Sequence, residues 1–205
     1  MRPTTFDFLG NLDTLLAVFL GAILATGGAL VAELVQEKRN RKRKERDAAR
    51  FVGDILMTID QILDFAINSQ TIGDKWGKTS IRLYQTALRE AAVYERNRER
   101  LFDIFDMKLR NRIHTHFLRE TFPIEAMLET CDEVIQTEKT IEDLKSTSNK
   151  EQKILSLRLN EIIEARETAL NALVREKEKT ADLCQELSKT AKVNFDEMHE
   201  DISNV

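Results

Sequence analysis

The sequence predicts an all-α protein: a single N-terminal transmembrane helix followed by a cytosolic antiparallel helical bundle with a long C-terminal helix. Three observations predict it. Only 7 Gly and 2 Pro occur in 205 residues, too little punctuation for a many-stranded β fold. Thr14 to Ala32 is a run of 19 residues without a charge. Ala, Leu, Glu, Lys and Arg dominate the remainder, with apolar residues recurring at helical spacing.

The uncharged run, TLLAVFLGAILATGGALVA, would be roughly 28 Å long as a helix, close to the ~30 Å hydrocarbon thickness of a bilayer. Only Arg2 precedes it, whereas Lys38, Arg39, Arg41, Lys42, Arg43, Lys44 and Arg46 follow it. A cleaved signal peptide carries its basic residues before the apolar stretch. Lys and Arg collect on the cytoplasmic flank of a membrane helix, so the C-terminal side is expected inside. The expected organisation is a short extracytoplasmic N-terminus (1–13), a transmembrane helix (14–35), a basic juxtamembrane helix (36–50) and a cytosolic helical-bundle domain (51–205). The chain is thus expected to be a single-pass protein of the cell membrane, with its N-terminus outside. Within the span, Ala17, Gly21, Ala25 and Ala29 recur every four residues. Small residues at that spacing let two membrane helices approach closely, which predicts helix packing there. Glu33 lies at the rim of the span, where a carboxylate reaches water and cationic partners.

The seven cations from Lys38 to Arg46 are expected to bind anionic lipid headgroups, at about 1 kcal/mol each near the surface. Charge is unevenly spread: the net −4 divides into −2 over residues 1–35, +5 over 36–50 and −7 over 51–205. An acidic domain is a poor general binder of nucleic acid, and residues 36–50 hold no aromatic side chain on which a base could stack. No nucleic-acid partner is expected.

In residues 51–70, Phe51, Val52, Ile55, Leu56, Ile59, Ile62, Leu63, Ala66 and Ile67 make an apolar stripe typical of a core helix. TIGDKWGK (71–78) reads as a turn, with Trp76 as a packing anchor. A second helix is expected from Thr79 to about Phe102, using Ile81, Tyr84, Leu88, Ala91, Ala92 and Leu101 or Phe102, with the charged YERNRERL segment solvated or broken. A third is expected from Asp106 to Phe122 on Leu109, Ile113 and Phe117. Pro123 marks a boundary or a first-turn position, and a fourth helix then covers 124–145. Ser148 followed by Glu151 reads as a capping box that opens a final helix to about 195. Its seam holds Leu155, Leu159, Ile162, Ile163, Ala169, Leu170, Leu173, Cys184, Leu187 and Ala191, interrupted by Arg166 and Lys177. The short connection before it makes the last two helices antiparallel neighbours. Cys131 and Cys184 are expected to be reduced core thiols.

The chemistry-bearing residues form no known catalytic pattern. The Glu-x-x-His pair of di-metal bundles is missing from the sequence, as are a Gly-rich phosphate loop, Gly-x-Ser-x-Gly and His-Glu-x-x-His. No catalytic residue, cofactor or metal is therefore expected. Asn111, Arg112, His114, His116 and Arg119 form a polar cluster suited either to solvated surface or to an anion. The plan of an anchor followed by a charged helix resembles the membrane stator subunit of rotary ATPases. The stripe over 51–70, the Trp76 turn and Pro123 depart from that subunit's unbroken stalk, so the resemblance assigns no function. These features point to a non-enzymatic, membrane-anchored interaction or sensor protein that binds a membrane or cytosolic protein partner, or associates with itself. Two alternatives share the features: an effector whose oligomerisation permeabilises the bilayer, and an accessory subunit of a membrane enzyme complex.

Overall fold

The structure, a computed structural model, describes residues 5–144 and 149–195. It is all-α, with no strand among the described residues. The chain divides into two compact units, one ending at Lys44 and the other beginning at Glu45.

The first unit is helical throughout its described part and belongs to α1 (Thr5–Ile72). Every described side chain from Thr14 to Lys44 is exposed, including Phe19 at 63% and Leu24 at 74%. Among the described residues this is the one helix long and apolar enough to cross a membrane.

The second unit contains the remainder of α1, then α2 (Lys78–Arg96), a 3₁₀ turn (Arg98–Asp103), α3 (Met107–Asp143), α4 (Asn149–Lys177) and α5 (Thr180–Ala191). It begins six residues before the expected domain start at 51, because Ala48 and Ala49 already lie in the core. From there α1 is apolar on one side only: Val52, Ile55, Leu56, Ile59, Leu63 and Ala66 are buried, with Phe51 and Ile62 packed at the edge. Their spacing of three and four residues keeps them on one helical face.

Cross-helix partners give the topology. Ser69 meets Ser80 and Gln70 bonds to Tyr84, which folds α2 back along α1. Tyr94 stacks on Phe117 at 3.7 Å between ring centroids, joining α2 to α3. Pairing of Glu133 with Arg158 and of His116 with Glu176 runs α4 antiparallel to α3. Asp60 with Lys177, and Arg50 with the Ala191 carbonyl, run α4 and α5 antiparallel to α1. The second unit is therefore an antiparallel bundle whose core draws on all five helices.

The turn predicted at 71–78 is present: α1 ends at Ile72 and α2 opens at Lys78. Trp76 is half-buried against the core. Its indole N–H donates to Glu167 at 3.2 Å, and the Arg166 guanidinium stacks 4.3 Å above its ring. Helix α2 stops at Arg96, six residues short of the expected end at Phe102, within the charged segment expected to be solvated or broken. Leu101, not Phe102, enters the core beyond it. The Asp106 carboxylate accepts from the backbone N–H groups of Lys108 and Leu109, a cap that starts α3.

Two further boundaries differ from expectation. Pro123 does not divide the chain; it sits inside the 37-residue helix α3, so the expected third and fourth helices are one. Proline there lacks a backbone N–H and crowds the carbonyl four residues back, at a cost of about 3 kcal/mol. The helix persists because its buried stripe runs through the site: Ile113, Phe117, Ile124, Met127, Cys131 and Val134 all face inward. Each such side chain contributes roughly 1.5–3 kcal/mol on burial. The second difference is a break in the final helix at residues 178 and 179, where the Lys179 N–H bonds to the Glu176 carbonyl three residues back. Helix α5 follows, with Leu183, Cys184, Leu187 and Ala191 buried. The expected capping serine, Ser148, lies outside the described residues. Cys131 and Cys184 are both buried, and burial raises the Cys131 pKa despite the neighbouring Arg166.

Gly53 is the glycine that packing requires. A Cβ at this position would collide with the ring of Phe195, itself fully buried. Gly→Ala inside a helix ordinarily stabilises by about 1 kcal/mol. Gly53→Ala is expected to do the reverse, lowering stability by about 1–3 kcal/mol through overpacking. The denaturant midpoint of the purified protein measures the sign.

Candidate functional site

The sequence-predicted membrane residues all lie on α1. Ala17, Gly21, Ala25 and Ala29 are exposed on one helical line, and nothing lies within 4 Å of a Cβ built at Gly21. Lys38, Arg39, Arg41, Lys42, Arg43 and Lys44 are exposed, whereas Arg46 is half-buried at the start of the second unit.

The predicted polar cluster is only partly brought together. Asn111, Arg112, His116 and Arg119, with Thr115, line one pocket of about 250 Å³. They fall on successive turns of α3, so helical periodicity alone aligns them. His114 points elsewhere, with Nδ1 3.2 Å from the Tyr94 hydroxyl and Nε2 2.9 Å from Arg98. The other wall of the pocket comes from the break after α4: Glu176, Lys179 and Leu183.

The floor is a buried ionic cluster. His116 and Glu120 are each 2% exposed and Glu176 is 7% exposed. His116 Nδ1 lies 3.0 Å from Glu176 and Nε2 lies 3.2 Å from Glu120. The Thr180 hydroxyl sits 3.1 Å from Nε2 and donates to Glu120 at 3.4 Å. An oxygen faces each ring nitrogen, an arrangement that favours the protonated imidazolium, in which both nitrogens donate. Burial pulls the His116 pKa down, but hydrogen bonds and charges from Glu120 and Glu176 outweigh it and hold the pKa above its usual value. Glu176 shows the converse: burial pushes it up, while Lys179 and His116 bring it below the usual carboxylate value. Lys179 pairs with Glu176 at 2.6 Å, and Arg112 pairs with Glu186 at the rim. One Glu120 oxygen is buried without a hydrogen-bond partner.

The layer extends toward α1 through Lys177, which bonds Asp60 at 3.1 Å and Asp64 at 2.9 Å. Burial opposes the charge on Lys177, yet the two carboxylates raise its pKa. The Lys177 that interrupts the apolar seam is thus satisfied by acids from another helix. Sequence reasoning missed Glu120, Glu176 and Thr180. A signal was available for Glu120, which lies four residues after His116, between Phe117 and Ile124 on the stripe that α3 buries.

The pocket is lined by the cations Arg112, Arg119 and Lys179, each of them facing Glu186 or Glu176, with Asn111 and Thr115 as neutral groups. That donor set suits a small anion. Among the described residues, no group of three His, Cys, Asp or Glu side chains is placed to hold a metal ion. His199 and Asp196 lie outside the described residues. No family model, curated protein or solved structure gives a significant match to this chain.

The ionic floor gives stability a pH dependence of definite sign. His116, with a raised folded-state pKa, contributes fully below its ordinary value of 6.5 and loses that contribution as pH rises through the folded value. Glu176, with a lowered pKa, contributes above its ordinary 4.5 and loses that contribution as pH falls. The combined contribution is therefore greatest between 4.5 and 6.5. Thermal unfolding across pH 5–9 is expected to show a falling midpoint on the alkaline side. In His116→Gln the protein should be less stable at pH 6, and this part of the slope should vanish.

Proposed function

We propose that this chain is a single-pass, membrane-anchored interaction or sensor protein without enzymatic activity, its helical bundle facing the cytosol. One observation carries the reading. A helix apolar and exposed on every side is followed by seven cations within nine residues and then by a unit with its own core. The first part matches the length and polarity of a bilayer interior. The cations support a cytosolic C-terminal side and contact with anionic headgroups. The self-contained core supports a unit that presents surfaces outside the membrane. The pocket beside His116, rimmed by Arg112, Arg119 and Lys179, supports the sensing part of the reading and favours an anion as ligand.

Full-length protein expressed in cells is expected in the membrane pellet after an alkaline carbonate wash. In inverted vesicles the bundle should be open to protease. Recovery in the supernatant without detergent overturns the anchor, and a protected bundle in inverted vesicles overturns the orientation.

Self-association through the span is the narrower part of the proposal, supported by the exposed line Ala17, Gly21, Ala25 and Ala29. Replacing Gly21 and Ala25 together by Leu should weaken association severalfold in a membrane two-hybrid assay. An unchanged signal removes this part.

A further inference from the structure

We propose that the turn joining α2 to α3 is a second membrane contact, in which Phe102, Phe105 and Met107 enter the interfacial layer of the bilayer that holds the anchor. The inference rests on the anchored reading above. Within six residues this turn exposes three large apolar side chains: Phe102 at 71%, Phe105 at 44% and Met107 at 64%. Leu101, Ile104 and Leu109, interleaved with them, are buried. The turn thus has a packed side and a separate apolar outer side. A single exposed apolar residue needs no explanation, but a cluster of them marks a contact surface.

Its place in the unit selects the occupant. The Phe105 N–H donates to Glu45 at 3.2 Å, and the Arg100 guanidinium lies 4.5 Å over the Phe51 ring. The turn therefore sits at the end of the bundle where the chain arrives from the basic tract. Nine residues, 36–44, lie between Val35 and Glu45, a rise of about 15 Å as helix. The headgroup region on one face of a bilayer is roughly 5–7 Å deep, and tilts up to about 40° are ordinary for membrane helices. A connection of this length permits the apolar tips to meet the interface. Phe side chains beside cations suit that layer. Arg100 and Lys108 are exposed in the turn, and Arg110 lies 5.7 Å from the Phe102 ring. Glu99, Asp103 and Asp106 offset this charge one for one, Asp106 also serving as the cap of α3. The apolar tips therefore carry the contact, and the Lys38–Arg46 tract supplies the attraction to anionic headgroups.

The test uses full-length protein reconstituted in vesicles of phosphatidylcholine and phosphatidylglycerol, with and without bromine-labelled acyl chains that quench tryptophan on contact. The native Trp76 lies in the turn that follows the opposite end of α1 and is expected to be unquenched, which sets the baseline. Phe102→Trp and Met107→Trp each add a reporter at an exposed position, and Leu24→Trp adds one in the span. The expected result is that the added emission in Phe102→Trp and Met107→Trp falls at least twofold in brominated vesicles, as it does in Leu24→Trp. Quenching in Leu24→Trp alone overturns the turn contact and leaves the anchor standing. No quenching in any of the three overturns the anchor and the inference together.

Discussion

Burial of one stripe of α1 organises the helical unit. Val52, Leu56, Ile59 and Leu63 are each no more than 1% exposed, so the helix is covered along this face for several turns. At roughly 1.5–3 kcal/mol per fully buried side chain, these contacts are large beside the net stability of an ordinary domain, about 5–15 kcal/mol. α2, α4 and α5 all fold back along the same helix, and α3 closes the bundle between α2 and α4. The stripe also explains why Gly53 lies where it does. The neighbouring face must admit the ring of Phe195, and only a residue without a Cβ leaves that room.

The apolar core is crossed by a polar layer at the α4–α5 break. His116 meets Glu120, Glu176 and Thr180 at the floor of the pocket, leaving one Glu120 oxygen without a hydrogen-bond partner, and Lys177 joins Asp60 and Asp64 beside them. Removing one member of a buried ionic group leaves its partner charged and unpaired, at a cost of about 3–5 kcal/mol. Such a layer admits few alternative registers, because sliding α4 by one turn would separate His116 from Glu176 and Lys177 from its two acids. Apolar contacts on either side tolerate sliding far better. The break before α5 belongs to the same device, since it opens the helix whose first residue, Thr180, closes the cluster.

Much of the fold was legible because its elements declare themselves by periodicity. The stripe over 51–70 and the inward positions Leu109, Ile113 and Phe117 follow from apolar spacing and are matched by burial, and the turn at 71–78 follows from its two glycines and is matched by the gap between α1 and α2. Pro123 misled because its local penalty is read from one residue, whereas the burial that overrides it is spread over both sides of α3. The break at residues 178 and 179 was not legible for a related reason. Nothing in EKEK forbids a helix, and the turn serves Thr180, whose partners lie on α3. The pocket was half legible. Asn111, Arg112, His116 and Arg119 share one helical face and were singled out together, but Glu176 and Lys179 reach them only through tertiary packing. His114, grouped with them by sequence proximity, faces α2 because two residues along a helix turn the side chain by about 200°.

A helix that enters a bilayer fixes where a soluble unit is, but a lone anchor leaves that unit free to turn on its connection. Any partner that binds must then restrict that motion, and the lost freedom subtracts from affinity. A second contact near the anchor, of the kind proposed for Phe102, Phe105 and Met107, removes part of the freedom beforehand. Such a contact can be individually weak. In the proposed arrangement the anchor keeps the turn on the same molecule as the inserted span, so the second event would be intramolecular and proceed at a high effective concentration. The same arithmetic applies between copies of the chain. Confinement to a membrane plane with a common orientation would let weakly self-complementary surfaces, such as the one proposed along the line through Gly21, associate where they would not in free solution. In this reading the chain gains specificity mainly from being held in place, and its surfaces can remain modest because the bilayer has already aligned them.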